Sequence, residues 1–433
     1  MNVMINNVVI PSRMFIEIAR RLIGSRGTTY YCPAGVNRLP GETHMLVRSF
    51  GTMIQDKSKA IAISMRPQSS VPVATTLRRL SSGLLAAILF DRHNGRMWGY
   101  AGHHDNEGQD LNNLLLVGPG MRDVPIEPLA VHQPLSSEEC HFDLSKEYLK
   151  YSRTISALGL STWKRLRSLR IAIVGCSRTG ASVTSTLAML GAQHLILIDP
   201  DVVETHNLAE VESVGRNDIG KPKVDAVTAY LYSRGQVTDS GATIRAISKG
   251  IRESYREAVA ADVIFCCVDN DEARLACGIL STLYHKVLID VGTAILDAPM
   301  PHSNRTGAIE MGADVRMLLP GDGCIRCYGS LPDNEDAAAK LAGMYQSNRT
   351  QGGMWWMSRR GSLRNLNMVA VGIGIQMLFD LVSGKIEESR WTRIEFDHRG
   401  QLVVHHLDRT PTDEKSACSL CPKSGLGDFG LSW

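Results

Sequence analysis

The stretch Arg170-Ile-Ala-Ile-Val-Gly175-Cys-Ser-Arg-Thr-Gly180, running on through Ala181–Leu190 to His194-Leu-Ile-Leu-Ile-Asp199, decides the fold of this chain. Arg170–Val174 is a short apolar run bounded by a glycine, the pattern of a buried strand. Thr179–Leu190 is rich in Ala, Leu and Met and reads as a helix. His194–Asp199 is a second apolar strand that ends in a carboxylate. Strand, glycine turn, helix and strand within roughly thirty residues make a βαβ unit, whose two strands run parallel.

The alternation continues. Val224–Leu231 reads as a helix, Asp262–Cys267 as a strand, Glu272–Leu283 as a helix and Lys286–Asp290 as a strand. This predicts an α/β, doubly wound, Rossmann-like domain with a mainly parallel sheet and helices on both faces. Ligands of such sheets bind at the carboxyl ends of the strands. The chemistry-bearing residues cluster there.

Gly175 and Gly180 frame a loop at a helix N-terminus, where backbone N–H groups favour a phosphate and a missing side chain lets it approach. Ser177 stands where the dinucleotide fingerprint has its middle glycine. Asp199 ends the second strand, the position from which a carboxylate reaches a ribose hydroxyl. Three polar runs follow: Asp199-Pro-Asp201 through Asn207-Leu208, then Asp218-Ile-Gly-Lys221-Pro-Lys223, then Val268-Asp269-Asn-Asp-Glu-Ala-Arg274. Strand-end carboxylates can hold Mg2+, and lysines can neutralise phosphates. Taken singly, each run also reads as a solvated loop. An NAD- or FAD-binding oxidoreductase would use the same glycine loop but has little use for the paired lysines.

Two C-x-x-C pairs, Cys324/Cys327 and Cys418/Cys421, supply four thiolates, the set that closes a tetrahedral structural Zn2+ site. The 433 residues suggest about two or three domains. Apolar residues make up 44% and charged residues 21%, which argues against disorder as the main state. The net charge of +3 is too balanced to predict nucleic-acid binding. The apolar runs Leu84–Phe90 and Val371–Leu378 fall short of the ~18 residues that span a bilayer. No basic-then-apolar leader pattern opens the chain, so a cytoplasmic location is expected, with neither membrane nor nucleic acid as partner.

Residues 1–150 read as an α+β region. Val8–Ile10, His44–Val47 and Ala60–Ser64 have strand patterns, Met14–Ile23 a helical one, and Leu84–Phe90 and Arg96–Tyr100 flank a turn-like Asp91–Gly95 as a hairpin would. Pro134–Lys150 is polar and reads as a linker to residues 151–433.

In this order and spacing, the motifs from about residue 165 to 421 resemble the ThiF/MoeB-type family, which includes the ubiquitin-activating enzymes. The resemblance implies ATP-dependent adenylation of the C-terminal glycine of a ubiquitin-like or sulfur-carrier protein, with ATP, Mg2+ and a structural Zn2+ held by the four cysteines. Gly175 and Gly180 would frame the phosphates. Asp199 would take the ribose, and Asp201 would belong to the cofactor-binding set. Asn207 and Lys223 would reach the phosphates, with Lys221 as a second cation. Asp269 would bind Mg2+ or orient the attacking carboxylate, and Arg178 would serve in the glycine loop. The catalytic set is then Lys223, Asp269 and Arg178.

A homodimer and a conjugating enzyme as partner are further implications, and in bacteria such systems often serve antiviral defence. The family pattern Asn-Leu-x-Arg-Gln here reads Asn207-Leu-Ala-Glu210-Val211, an acid in place of a cation. This leaves an alternative: a catalytically weakened scaffold that binds a ubiquitin-like protein or an active partner subunit. The crossover segment Tyr328–Asn367 contains no cysteine. Handover at the adenylate to a partner's thiol is expected ahead of a hydroxyl nucleophile (Ser347, Thr350 or Ser358) or of Cys32 or Cys140. Gln351–Met357 reads as an apolar patch over the substrate tail or as ordinary loop packing. The first 150 residues resemble, in outline only, a JAB-type isopeptidase domain. Glu42, His93, His103, His104, Asp105 and Asp110 are its candidate site residues. No His-x-His-Pro occurs, and adjacent histidines on a strand point to opposite faces, so this region is expected to be inert and to dock a partner.

Overall fold

The computed structural model describes residues 5–24, 29–49, 56–65, 72–91, 96–101, 109–126, 144–236, 242–297, 309–329, 363–396, 400–407 and 418–431. It comprises two compact units. One is Met1–Ser152 with Thr282–His285 and Pro422–Ser432; the other is Arg153–Ser281 with Lys286–Cys421 and Trp433.

In chain order, the first unit contains β1 (Ile5–Pro11), α1 (Ser12–Gly24), β2 (Thr29–Leu39), β3 (Glu42–Val47), β4 (Ala60–Met65), α2 (Val73–Ser81), β5 (Ala86–Phe90), β6 (Met97–Ala101), β7 (Gln109–Asp110), β8 (Asn113–Val117) and β9 (Arg122–Pro125). The strands form one sheet in the order β7-β6-β5-β4-β2-β3-β1-β8-β9. On α1, Ile18 and Leu22 lie four apart and are both buried among Val8, Ile10, Ile61 and Leu114. Each such side chain contributes about 1.5–3 kcal/mol. Leu77 of α2 is buried in a separate cluster with Ala60, Ala62, Ala87 and Leu89. The expected hairpin is present as the antiparallel β5–β6 pair, although residues 92–95 of its turn lie outside the described residues.

Residues 422–431 belong to this unit. Gly427 bridges Val36 in parallel, and the Asp428 N–H donates to the Val36 carbonyl at 2.7 Å. The Asp428 carboxylate accepts from the Arg38 N–H at 3.1 Å and from the Tyr284 hydroxyl at 2.9 Å. Gly35 leaves the room: a Cβ there would sit 2.1 Å from the Gly425 carbonyl oxygen.

The second unit follows α3 (Leu144–Leu158) with α4 (Leu160–Ser168), β10 (Arg170–Val174), α5 (Arg178–Leu190), β11 (His194–Ile198), α6 (Lys223–Ser233), β12 (Thr243–Ile247), α7 (Tyr255–Val259), β13 (Val263–Cys266), α8 (Asp271–Leu283), β14 (Val287–Asp297), β15 (Ile309–Leu318), α9 (Arg364–Val382), β16 (Arg390–Phe396) and β17 (Leu402–Leu407). The sheet order is β12-β11-β10-β13-β14-β15-β16-β17. β12 to β14 pair in parallel, as expected of a Rossmann-like fold. β15, β16 and β17 add an antiparallel wing that the mainly parallel expectation did not contain. From β10 the chain steps outward to β11 and β12, then returns to place β13 on the other side of β10. The order therefore reverses at β10, and the crevice beside its carboxyl end is the switch point where ligands of open α/β sheets bind.

Leu144–Lys150, read as part of a linker, is the start of α3. The apolar run Val371–Leu378 is the middle of α9, the one helix among the described residues long and apolar enough to cross a membrane. It is a core helix here. Leu366, Ala370, Val371, Leu378 and Leu381 are buried, and a Cβ at Gly374 would come 3.3 Å from the Val291 side chain of β14.

Candidate functional site

At the switch point the glycines act through space rather than as flexible links. Gly175 has φ +88°, and a Cβ on it would lie 2.7 Å from the Cys267 carbonyl oxygen just beyond β13. A Cβ on Gly180 would fall 1.7 Å from the Gly175 carbonyl oxygen, so the first turn of α5 closes onto the end of β10 only because position 180 has no side chain. Ser177 precedes α5 without giving it a side-chain cap. The amide end of a thirteen-residue helix therefore faces the crevice, with the local dipole favouring an anion.

Asp199 is buried at the end of β11, and its two oxygens accept the Cys176 N–H at 2.6 Å and the Asp201 N–H at 2.8 Å. Burial pushes its pKa up, opposed by those two N–H groups and by Lys223. Val202 and Pro222 form an antiparallel bridge, which sets the start of α6 beside the end of β11. This sets the course of the buried Lys223 side chain, whose Nζ donates to Asp201 Oδ2 at 2.8 Å. Lys221, two residues earlier, points elsewhere and pairs with Asp218 at 2.9 Å. Asn207 is buried and structures its own turn, accepting the Glu204 N–H at 2.9 Å. The Arg178 Nη1 lies 3.1 Å from Glu210 Oε1.

After β13 the chain turns at Val268–Asn270. The Asn270 side chain accepts the Ala273 N–H at 2.8 Å and so caps α8. Arg274, one turn on, donates to the Val268 carbonyl at 2.8 Å and to the fully buried Asp290 of β14 at 2.9 Å. Burial alone would lower the Arg274 pKa, but Asp290 outweighs it and holds the guanidinium charged.

These strand ends enclose a cavity of about 740 Å³. Of the sequence-derived candidates, Gly175, Arg178, Asp199, Asp201, Lys223 and Asp269 line it; Gly180, Asn207 and Lys221 are not among its lining residues. The lining also includes residues that the sequence reading gave no role: Gly250 to Glu253 after β12, Arg274, and Gly292 and Thr293 of β14. A reading that recognised β12 would have pointed to the first group. That strand, Thr243-Ile-Arg-Ala-Ile247, is a half-exposed edge without alternation. Arg274 belongs to the Val268–Arg274 run, and only its place in the first turn of α8 marks it out.

The four cysteines Cys324, Cys327, Cys418 and Cys421 bring their sulfurs within 4.8 Å of one another. The Cys324–Cys327, Cys324–Cys418 and Cys327–Cys421 separations are 3.8, 3.4 and 3.4 Å. Tetrahedral zinc–thiolate bonds of about 2.3 Å place sulfurs roughly 3.8 Å apart, so the donor set fits Zn2+. The neighbouring Cys327 raises the Cys324 thiol above its ordinary range. The remaining described cysteines, Cys32, Cys176, Cys266, Cys267 and Cys277, are all buried. Burial pushes Cys32 up to about 12, and burial followed by the Asp199 charge raises Cys176. Neither is poised as a thiolate. Cys140, Ser347, Thr350, Ser358 and Gln351–Met357 lie outside the described residues, as do His93, His103, His104 and Asp105. In the first unit, Glu42 Oε2 accepts from His44 Nε2 at 3.0 Å, two residues along β3.

A family model described as the ThiF family matches residues 151–419. The chain belongs to the ThiF family. Relatives of this ThiF-family chain include the mouse "Adenylyltransferase and sulfurtransferase MOCS3", 31% identical over 35% of the chain and 31% of that protein. Another is the Haloferax volcanii "SAMP-activating enzyme E1", 29% identical over 42% of the chain and 65% of that protein. The chain spans about a third of the length of the adenylyltransferase and sulfurtransferase relatives it matches. Among solved structures, E. coli MccB with ATP aligns at a TM-score of 0.44 and 20% identity, covering 63% of this chain and 74% of that one.

Proposed function

We propose that this chain uses Mg-ATP to adenylate the C-terminal glycine of a ubiquitin-like or sulfur-carrier protein, and that the acyl adenylate then passes to a nucleophile of a partner protein. The observation that carries this reading is the convergence of Gly175, Arg178, Asp199, Asp201, Lys223 and Asp269, from three separate strand ends and the start of α6, on one cavity. That combination suits a nucleotide with its triphosphate. It is more than a dinucleotide site requires.

In this reading the α5 amide end and Lys223 hold the phosphates, and Asp199 accepts a ribose hydroxyl with the lone pairs its backbone donors leave. Asp201 is more than half exposed toward solvent, and Asp269 lines the cavity; oxygen donors of this kind fit a Mg2+ that keeps part of its water. Mg2+, when bound, would supply neutralisation of the phosphate oxygens. A terminal carboxylate oxygen bonds to the α-phosphorus. The bond from that phosphorus to the oxygen bridging the β-phosphate breaks, and pyrophosphate departs with the electron pair. The attacking carboxylate is already ionised, so no general base is required, and catalysis rests on alignment and charge. Lys223 and Arg178 are the cations placed for that work, and Asp269 the group that orients the metal or the attacking carboxylate.

The buried state of every described cysteine outside the four-cysteine cluster, and the absence of cysteine from Tyr328–Asn367, support handover to a partner's thiol rather than an internal thioester. The four-cysteine cluster offers no open position and is proposed as a closed, structural zinc site. For the first unit we propose a docking role.

The test is ATP–pyrophosphate exchange with the ubiquitin-like protein encoded nearest the gene, offered intact and with its terminal glycine removed. Exchange that requires the glycine supports the reading. Tight binding of the partner with no exchange overturns it in favour of a scaffold.

A further inference from the structure

We propose that Arg274 is a positioning residue for Asp269, clasping both ends of the turn that carries it. The inference rests on the Mg-ATP reading of the cavity and assigns the part of the fold that fixes its metal-side carboxylate.

The three guanidinium nitrogens of Arg274 each have a partner. Nη2 donates to the Val268 carbonyl at 2.8 Å, immediately before Asp269. Nη1 faces Asp271 Oδ1 at 3.6 Å, two residues after Asp269. Nε donates to Asp290 Oδ1 at 2.9 Å. The first two contacts bracket Asp269 and Asn270 from either side, and the third ties the bracket to β14. The Arg274 side chain is only 15% exposed, and the surface it keeps lines the cavity.

The anchor is fixed from behind. Asp290 is fully buried, and its second oxygen accepts Arg316 Nη1 at 3.1 Å. Arg316 in turn donates to the Tyr328 carbonyl at 2.8 Å and to Asp314 at 2.9 Å, and its guanidinium lies 4.5 Å from the centroid of Trp391. Shifting Asp290 would leave buried charges without partners, a strongly unfavourable change. The Val268–Asp271 turn therefore inherits the rigidity of the sheet centre. A lysine could not do this. Its ammonium is a single point and cannot span a carbonyl and two carboxylates that the planar fork reaches at once.

The test is titration of ATP into the full-length chain by calorimetry over a series of Mg2+ concentrations, for wild type and Arg274→Lys. The expected result is ATP affinity without Mg2+ that stays near wild type, while the Mg2+ concentration for half-maximal enhancement rises about tenfold or more. A merely structural loss would instead weaken both alike. Where Arg274→Lys fails to fold, judged by circular dichroism, Asp271→Asn replaces it. That change removes the half-exposed arm of the clasp, with an expected shift of about two- to fivefold. A folded variant with an unshifted Mg2+ midpoint overturns the inference alone. A wild-type chain that binds no ATP in a Mg2+-dependent way overturns the nucleotide reading and this inference with it.

Discussion

Glu210 holds Arg178, the arginine of the glycine loop, at 3.1 Å, with both side chains about one-third exposed or less. Position 210 is where the resembled motif carries arginine, so the departure puts an acid beside a cavity cation and neutralises it by pairing. A triphosphate entering the cavity must compete with that carboxylate. Glu210→Gln is expected to lower the KM for Mg-ATP about three- to fivefold in pyrophosphate exchange, the worth of a partly exposed ion pair. Glu210→Arg should raise kcat/KM about tenfold by adding a cation at the phosphates. Unchanged kinetics in both variants would remove Arg178 from the nucleotide's surroundings.

Asp269 lines the cavity on a turn rather than within a strand or helix. Asp269→Ala should therefore cut exchange by about 10²-fold or more while the melting temperature moves by no more than about 2 °C. Retained turnover would take Asp269 out of the mechanism.

Cys421→Ser removes one of the four sulfurs that lie within 4.8 Å of one another. Elemental analysis should show loss of bound zinc, and the melting temperature should fall by about 5 °C or more. A zinc content equal to wild type would refute the four-cysteine assignment.

Gly180→Ala places a methyl carbon 1.7 Å from the Gly175 carbonyl oxygen, a backbone atom that cannot swing aside. The expected cost is about 3 kcal/mol or more in urea unfolding. A neutral result would mean that α5 can slide along β10.

Asp314 carries a pH signature. Burial would raise its pKa, but Arg393, Arg316 and Trp391 outweigh that and hold it below its ordinary value of 3.8. The folded chain thus binds fewer protons than the unfolded one. The stabilisation is fully present above pH 3.8 and is lost as the pH falls through the lower folded value. Asp314→Asn should cost about 2 kcal/mol at neutral pH, and its deficit against wild type in urea midpoint should shrink in acid. A deficit independent of pH would contradict the assignment.

The βαβ unit from Arg170 to Asp199 was legible because its strands are buried on both faces and its glycines sit at fixed offsets. The same holds for Val263–Cys266 and α8. The antiparallel wing was not legible. β17, Leu402-Val-Val-His-His-Leu407, is exposed along most of its length and shows no inside–outside alternation to read. At the site, residues that act by charge at strand ends could be named from the motif order. The pairings could not. That Lys221 turns to Asp218 while Lys223 turns to Asp201 depends on the Val202–Pro222 bridge, a contact between two loops. Arg274 was hidden for a related reason: its anchor, Asp290, lies on a strand sixteen residues away.

The pairing of Val36 with Gly427 has a consequence for synthesis on the ribosome. The first unit's strands emerge early, yet the backbone that covers Gly35 and satisfies the Val36 carbonyl arrives nearly four hundred residues later. Until then the nascent sheet carries an open seam along β2. The native pairing of Val36 therefore forms only once the chain has been synthesised past Asp428.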